Sequence, residues 1–509
     1  MMTLARTHCV TLLGVRGHVV EVEVHLGGGD PGVTMVGLPD AALREARDRV
    51  RAALVNSGES WPSGQITVSL SPASLPKAGS LFDLAIAGAV LAAAGEVPAD
   101  RLEGTVLIAE LGLDGRARPV MGVLPAVVSA TGQGYGRFVV AHGNAEEARL
   151  VPDADVVPVG NLMELCDWLR GGEPPPDPPP AVGIPRPREA ADGGPDLADV
   201  LGQPVARRAV EIAAAGGHNL MMLGSPGTGK SLLAERLPTV LPVLGPAEAL
   251  EATAIHSVAG MLPAGSPLVT RPPFAAPHHT SSRAAIIGGG SGYPSPGWVS
   301  KAHRGVLFVD EAPQFGRGVL DSLREPLERG EVVLARAAST VSFPARFQLV
   351  MAANPCPCAK PGALCTCPAG ERRRYFSRLS GPLLDRVDLK VELQPVTRAE
   401  LLADRAFAES SAVVATRVEQ ARGRAAERLA HTPWATNAEI PGSRLRREFP
   451  VEPVALRVLG RAMDQGSISA RGVDRALRVA WTLADLAERD RPGEEEVAYA
   501  FALWSGRAW

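Results

Sequence analysis

Two segments of this chain alternate apolar and polar residues with period two: Val20-Glu-Val-Glu-Val24 and Ile66-Thr-Val-Ser-Leu70. Successive side chains of a strand point to opposite faces, so each reads as a half-buried strand. Asp83 to Ala94 is apolar on every side and reads as a buried helix. Asn219 to Leu223, Gly305 to Val309 and Phe347 to Ala353 are short continuous apolar runs, the pattern of strands covered on both faces. Leu232, Leu233 and Leu237 follow the first run at helical spacing, and Asp196 to Ala215 precedes it as a helical stretch. Glu331 to Phe343 reads as a hairpin. The pattern divides the chain into a mixed strand–helix segment (1–170), a Pro/Gly-rich linker (171–195), an α/β core (196–395) and a helical C-terminal region (396–509). The linker composition favours extended, semi-rigid backbone.

Composition narrows the function classes. The 509 residues are 46% hydrophobic and 21% charged, ordinary for globular cores. Net charge is −3, so any contact with nucleic acid must come from local basic patches. Five residues are lysine (77, 230, 301, 360 and 390), and arginine supplies nearly all positive charge. The longest apolar run, Leu84 to Gly95, is far short of the roughly 20 residues that span a bilayer. Met1 to Val24 reads as strands rather than a secretory signal. The expectation is a cytoplasmic protein with no membrane partner.

The chemistry is announced by Gly224-Ser225-Pro226-Gly227-Thr228-Gly229-Lys230-Ser231, which fits G-x-x-x-x-G-K-[ST]. A buried strand precedes it and a helix follows. Glycines let backbone N–H groups curl round a phosphate, and the helix N-terminus favours negative charge. Lys230 would reach the β- and γ-phosphates of ATP, and the Ser231 hydroxyl would ligate Mg²⁺. The run Val306 to Val309 ends in Asp310 and Glu311, a Walker B pattern. Asp310 would organise the Mg²⁺, and Glu311 would polarise the attacking water.

Six cysteines are present; Cys9 and Cys166 are isolated and expected to be buried. The other four form Cys356-Pro-Cys358 and, six residues on, Cys365-Thr-Cys367. Four thiols so close suit tetrahedral Zn²⁺, although C-x-C is tighter than the usual C-x₂₋₄-C. Structural zinc and reduced, redox-active thiols both remain open; disulfides are disfavoured in a cytosolic chain.

These motifs resemble AAA+ ATPases, and specifically the magnesium-chelatase-like ComM/YifB family. The resemblance spans essentially the whole chain. It is carried by Ala213-Ala-Ala-Gly-Gly-His218-Asn-Leu, Arg271-Pro-Pro-Phe-Ala-Ala-Pro-His278-His279-Thr, Asn354-Pro-Cys356-Pro-Cys358 and Ser380-Gly-Pro-Leu-Leu-Asp-Arg386. It implies an α/β AAA+ core, a parallel sheet with flanking helices, under a helical C-terminal lid. It implies that Asn354 is sensor 1, that Arg386 is a finger completing a neighbour's site, and that Arg471 is sensor 2. Arg475 and Arg478 read as surface or packing residues. The local alternative for Arg386 is a structural pair with Asp385 or Asp388. The family's best-studied members are hexameric DNA motors of branch migration in recombination and natural transformation, so a homo-hexamer and single-stranded or branched DNA are the implied partners.

Arg336 falls where related MCM helicases carry a DNA-gripping basic residue on a hairpin; a solvated surface arginine is the alternative. Tyr293 and Trp298, in an insert between about 256 and 304, have base stacking or loop packing open to them. His278 and His279 read as structural or ATP-linked loop residues.

Residues 1–170 are similar to the Lon-type protease domain, an α+β fold. Leu75-Pro-Lys77-Ala-Gly79-Ser80-Leu81 matches the stretch bearing Lon's nucleophile, but Leu81 stands at the serine position. Leu124 stands where Lon has its catalytic lysine. A Ser-Lys dyad needs both groups, so the domain reads as non-proteolytic. A DNA motor is therefore the leading expectation. A protease or protein remodeller, a chelatase ATPase subunit and a nucleotide-gated scaffold are the alternatives.

Overall fold

The computed structural model describes residues 4–506 except 78, 178–193, 263–267, 291–293, 336–339, 361–363, 399 and 401–407. Most of the Pro/Gly linker, Arg336 and Tyr293 lie outside the described residues.

The N-terminal domain is built on a seven-stranded mixed sheet. Its strands are β1 (Leu4–Leu13), β2 (Arg16–Gly27), β3 (Gly32–Val36), β4 (Gln65–Ser71), β5 (Thr105–Ile108), β6 (Arg137–Ala141) and β7 (Asp155–Val159). The spatial order is β3-β4-β2-β1-β5-β6-β7. β1–β2 and β2–β4 pair antiparallel, and the other neighbours run parallel. The alternation read from sequence decides the faces: Val20, Val22 and Val24 are fully buried while Glu21 and Glu23 stay half-buried. Helices α1 (Ala41–Asn56), α2 (Asp83–Ala94) and α3 (Val123–Thr131) complete this domain's main framework. α2 is buried from Asp83 to Ala93, as its all-round apolarity predicts. Each of its large aliphatic side chains contributes about 2 kcal/mol through burial.

The core of the second domain is a five-stranded, wholly parallel sheet. The strands are β8 (Leu220–Gly224), β9 (Phe274–Ala275), β10 (Val306–Val309), β13 (Gln348–Ala353) and β14 (Leu389–Leu393), in the order β9-β10-β13-β8-β14. Between β10 and β13 in sequence, β11 (Glu331–Ala335) and β12 (Thr340–Pro344) form the expected hairpin. Helices α4 (Pro204–Gly216), α5 (Lys230–Val240), α6 (Pro246–Val258) and α7 (Ala369–Phe376) flank the core. The C-terminal region is helical, with α8 (Ser411–Leu429), α9 (Ala470–Leu486) and α10 (Glu494–Ser505) as its longest helices. Buried side chains of α8, α9 and α10 share one hydrophobic core with α4, α5 and the β8–β14 edge.

Among the described residues, the two domains touch at α6 and at the β1–β2 turn. Leu250 and Ala254 of α6 pack onto the N-terminal core, and the Ser257 hydroxyl donates to Glu147. At the β1–β2 turn Gly14 (φ +71°) lies so close to β12 that an added Cβ would come within 2.6 Å of the Ser342 carbonyl oxygen. No described helix is long and apolar enough to cross a membrane.

Candidate active site

The phosphate-binding loop leaves the C-terminal end of β8 and enters α5 at Lys230. Gly227 (φ +78°) and Gly229 (φ +92°) occupy the left-handed region, and their outer faces meet nothing within 4 Å. Gly224 is needed for a different reason: a side chain there would strike the Leu393 carbonyl of β14. Thr228 steadies the loop by donating to the Ser225 carbonyl at 2.9 Å, and Gln203 donates to the Thr228 carbonyl at 3.3 Å. The open, N–H-rich backbone therefore fits a polyphosphate.

Lys230 is buried at the base of this cradle. Its ammonium donates to the carbonyls of Gly224 (2.7 Å) and Ser225 (2.9 Å) and to Asn354 Oδ1 (3.2 Å). Burial lowers its pKa, with Asp310 and Glu311 opposing the shift. A phosphate would add the counter-charge that this ammonium has only at a distance. The Ser231 hydroxyl donates to Asp310 Oδ2 at 3.0 Å, so the two Mg²⁺ candidates are adjacent. Hydroxyl and carboxylate oxygens are the donor set this hard cation takes.

Glu311 follows in the left-handed conformation (φ 49°). Its N–H is held by Asp310 Oδ1 at 2.8 Å, and its half-exposed carboxylate turns toward the site. His279 Nδ1 lies 3.6 Å from Glu311 Oε2, and its ring is tilted against that of His278 with centroids 4.1 Å apart. The sequence left the two histidines as structural or ATP-linked loop residues; the fold places His279 against the candidate base. Trp298 takes the packing alternative: it is partly buried on the core, with Lys301 Nζ 5.1 Å from its ring centroid.

Arg386 sits elsewhere. It precedes β14, whose Leu389 pairs with Leu220 and whose Leu393 pairs with Gly224. Arg386 thus lies beyond the N-terminal edge of the sheet, while Lys230 lies beyond the C-terminal edge. At about 3.3 Å per residue the strand pair alone separates them by ~13 Å. Arg386 pairs with Glu328 and the Pro382 carbonyl, not with Asp385 or Asp388. It lines a cleft of about 490 Å³ with Asp388, Arg475 and Arg478. Asp388 is paired with Arg475, and Arg478 donates to the Ile440 carbonyl at 2.7 Å. Arg471 is exposed in the first turn of α9 and is not among the residues lining that cleft.

A hub missed in the sequence anchors this edge. Asn219 donates to the Arg386 carbonyl at 2.8 Å and accepts from the Leu349 N–H at 2.8 Å. Its own N–H donates to Asp388 Oδ2 at 3.1 Å. His218 is wholly buried, 2.7 Å from the Thr482 hydroxyl of the lid. The Ala-Gly-Gly-His-Asn word carried the signal: a Cβ on Gly216 would collide with the His218 ring at 2.2 Å.

Comparison with known proteins agrees with this architecture. Residues 196–401 match the family described as magnesium chelatase, subunit ChlI; 22–144 match subunit ChlI of Mg-chelatase, and 408–503 match the ChlI C-terminal family. The chain is 40% identical to the uncharacterized protein YifB of Escherichia coli, covering 96% of this chain and 94% of YifB. It is 39% identical to competence protein ComM of Haemophilus influenzae, covering 97% and 95%. This protein belongs to the magnesium-chelatase-like ComM/YifB family. An uncharacterized Mycobacterium tuberculosis protein is 52% identical over 99% of both chains. Family membership implies ATP and Mg²⁺, and the loop, Lys230, Ser231 and Asp310 supply the donors such a pair requires.

In the N-terminal domain Ser80 and Lys77 take different hydrogen-bond partners. Ser80 donates to Glu110, and the buried Lys77 donates to the Pro72 carbonyl. Leu124 is fully buried.

Proposed function

We propose that this protein hydrolyses ATP as a homo-oligomeric ring, a hexamer by family resemblance, and uses the cycle to move along single-stranded or branched DNA. The observation carrying the ring is the placement of Lys230 and Arg386 at opposite edges of one parallel sheet. An arginine there cannot reach its own phosphate cradle, which supports its reading as a finger offered to a neighbouring subunit. Bound Mg²⁺ would supply charge neutralisation at the phosphates. Lys230 binds and orients the terminal phosphates, Glu311 takes the proton of the attacking water, and Asn354, tied to Lys230, positions that water. Arg471 keeps its reading as a sensor arginine of the lid.

The DNA assignment is supported by the competence name of the ComM relative and by the β11–β12 hairpin, between whose strands Arg336 falls in the sequence. A basic tip contacts phosphate without reading sequence, which makes binding salt-sensitive. The N-terminal domain abuts β12 through Gly14 and so steadies the hairpin. We read that domain as non-proteolytic, because Ser80 and Lys77 have separate partners.

ATPase rates with no DNA, single strands, duplex and a four-way junction, each at two salt concentrations, test the reading. Stimulation strongest with junctions or single strands and lost at high salt is expected, as is its loss in Arg336→Ala with basal turnover retained. Normal basal turnover indifferent to every DNA would instead support a protein remodeller.

A further inference from the structure

The four clustered cysteines lie outside the nucleotide cradle but begin three residues beyond its sensor strand. Asn354 directly follows β13, and Cys356 and Cys358 come next; Cys365 and Cys367 lead into α7. The four sulfurs lie within 4.8 Å of one another, the only such potential metal-binding group among the described residues. Individual separations are 3.0 Å (Cys356–Cys358), 3.3 Å (Cys356–Cys365) and 3.6 Å (Cys358–Cys365). These are far longer than the S–S bond of about 2.05 Å. They approach the edge of roughly 3.8 Å that a tetrahedron with Zn–S bonds of about 2.3 Å requires.

The surrounding backbone suits an anionic centre. The N–H of Cys358 is directed at the sulfurs of Cys356 and Cys367, and that of Lys360 at the sulfur of Cys358. Such N–H···S contacts orient thiolate ligands and spread their charge. Four unligated thiols gain little from converging, whereas a tetrathiolate ion offsets the entropy of closing the loop between the two pairs.

We propose that Cys356, Cys358, Cys365 and Cys367 bind one structural zinc ion that clamps the end of β13 to the start of α7 and thereby holds Asn354 in place. The chemistry of the donors selects the metal: four sulfurs in a tetrahedron suit zinc or iron, and zinc alone adds rigidity without redox chemistry. The link to the active site is short. α7 carries the buried Tyr375, whose phenol lies against the Asn354 backbone, and Asn354 accepts from Lys230. The ion closes a loop whose two ends both bear on the sensor residue. This role rests on the ATPase reading; the metal site does not.

The test uses the full-length chain purified under reducing conditions without added metal. Elemental analysis should find one zinc per chain. Replacement by Co²⁺ should give the absorption of a tetrahedral tetrathiolate site, a readout independent of turnover. The Cys365→Ser/Cys367→Ser double variant should lose the metal and at least tenfold in kcat while keeping nucleotide affinity. Metal-free protein that takes up neither ion, or protein coloured by bound iron, overturns the zinc site whatever the ATPase does. Stoichiometric zinc whose chelation from the wild-type chain leaves kcat unchanged overturns the clamp on Asn354. Because chelation needs no substitution, a double variant that fails to fold still leaves the proposal open to refutation.

Discussion

The Asn219 side chain donates to the backbone carbonyl of Arg386 at 2.8 Å, joining the residue just before β8 to the candidate finger. The same amide accepts from Leu349 at the start of β13. Three neighbouring strands are thus levelled by one side chain at the edge remote from the cradle. Asn219→Ala would leave a part-buried carbonyl and N–H without this partner, and the expected loss is about 1 kcal/mol of stability. Turnover by the assembled protein should fall more than nucleotide affinity; urea unfolding and ATPase assays on the same preparation check both. Unaltered stability would mean that water replaces the amide.

The opposed positions of Lys230 and Arg386 predict complementation between subunits. Lys230→Ala should abolish nucleotide binding. Arg386→Ala should bind nucleotide normally yet lose on the order of 10³-fold in turnover, the usual worth of such an arginine. Rings mixed from the two variants should recover part of the activity, because a Lys230→Ala subunit still offers its arginine to an intact cradle. Full turnover by Arg386→Ala alone sinks the finger assignment.

Glu311→Gln should retain nucleotide and stop hydrolysis, since the amide cannot accept the water proton. His279, 3.6 Å from that carboxylate, is expected to hold its orientation. His279→Ala should lower kcat about tenfold, at the lower end of the losses from disturbing a positioned group, with nucleotide affinity unchanged. A kcat equal to that of the wild type would leave His279 as a packing residue only.

Acid should weaken the core through His303. Burial draws this ring down to about 4, with the hydrogen bond to Glu251 opposing the shift and Arg304 and Arg346 adding to it. Its Nδ1 accepts from the Arg346 N–H at 3.0 Å. An unfolded histidine titrates near ~6.5. Between these values the unfolded chain binds more protons, so stability is complete above about pH 6.5 and declines below it. The expected loss from pH 7 to pH 5 is about 2 kcal/mol. His8 and His256 are lowered in the same direction by burial, so urea midpoints of His303→Gln should keep only part of the slope. A slope identical to that of the wild type would assign the effect to those other histidines.

Much of the site was legible because its chemistry is local. Gly227, Gly229, Lys230 and Ser231 must be near neighbours to wrap one phosphate, and Asp310 and Glu311 must cap one strand. The hairpin and the buried helix at Asp83–Ala94 were equally readable, because one strand or helix face repeats at a short period. The partner of Arg386 was not: the near carboxylates Asp385 and Asp388 suggested themselves, whereas Glu328 arrives from a segment far back in the chain. His279 gave only a weak signal for the same reason.

The sequence by itself determined the family, the α/β class and the candidate phosphate loop, since these rest on residue type and spacing along a few turns or strands. Tertiary structure alone decided that Arg386 and Lys230 face opposite ways, that Asn219 and Asp388 bind the far edge together, and that four thiols share one centre. Those relations depend on which strands become neighbours and in what register. They are a collective outcome of burying three cores, and no short window of sequence carries it.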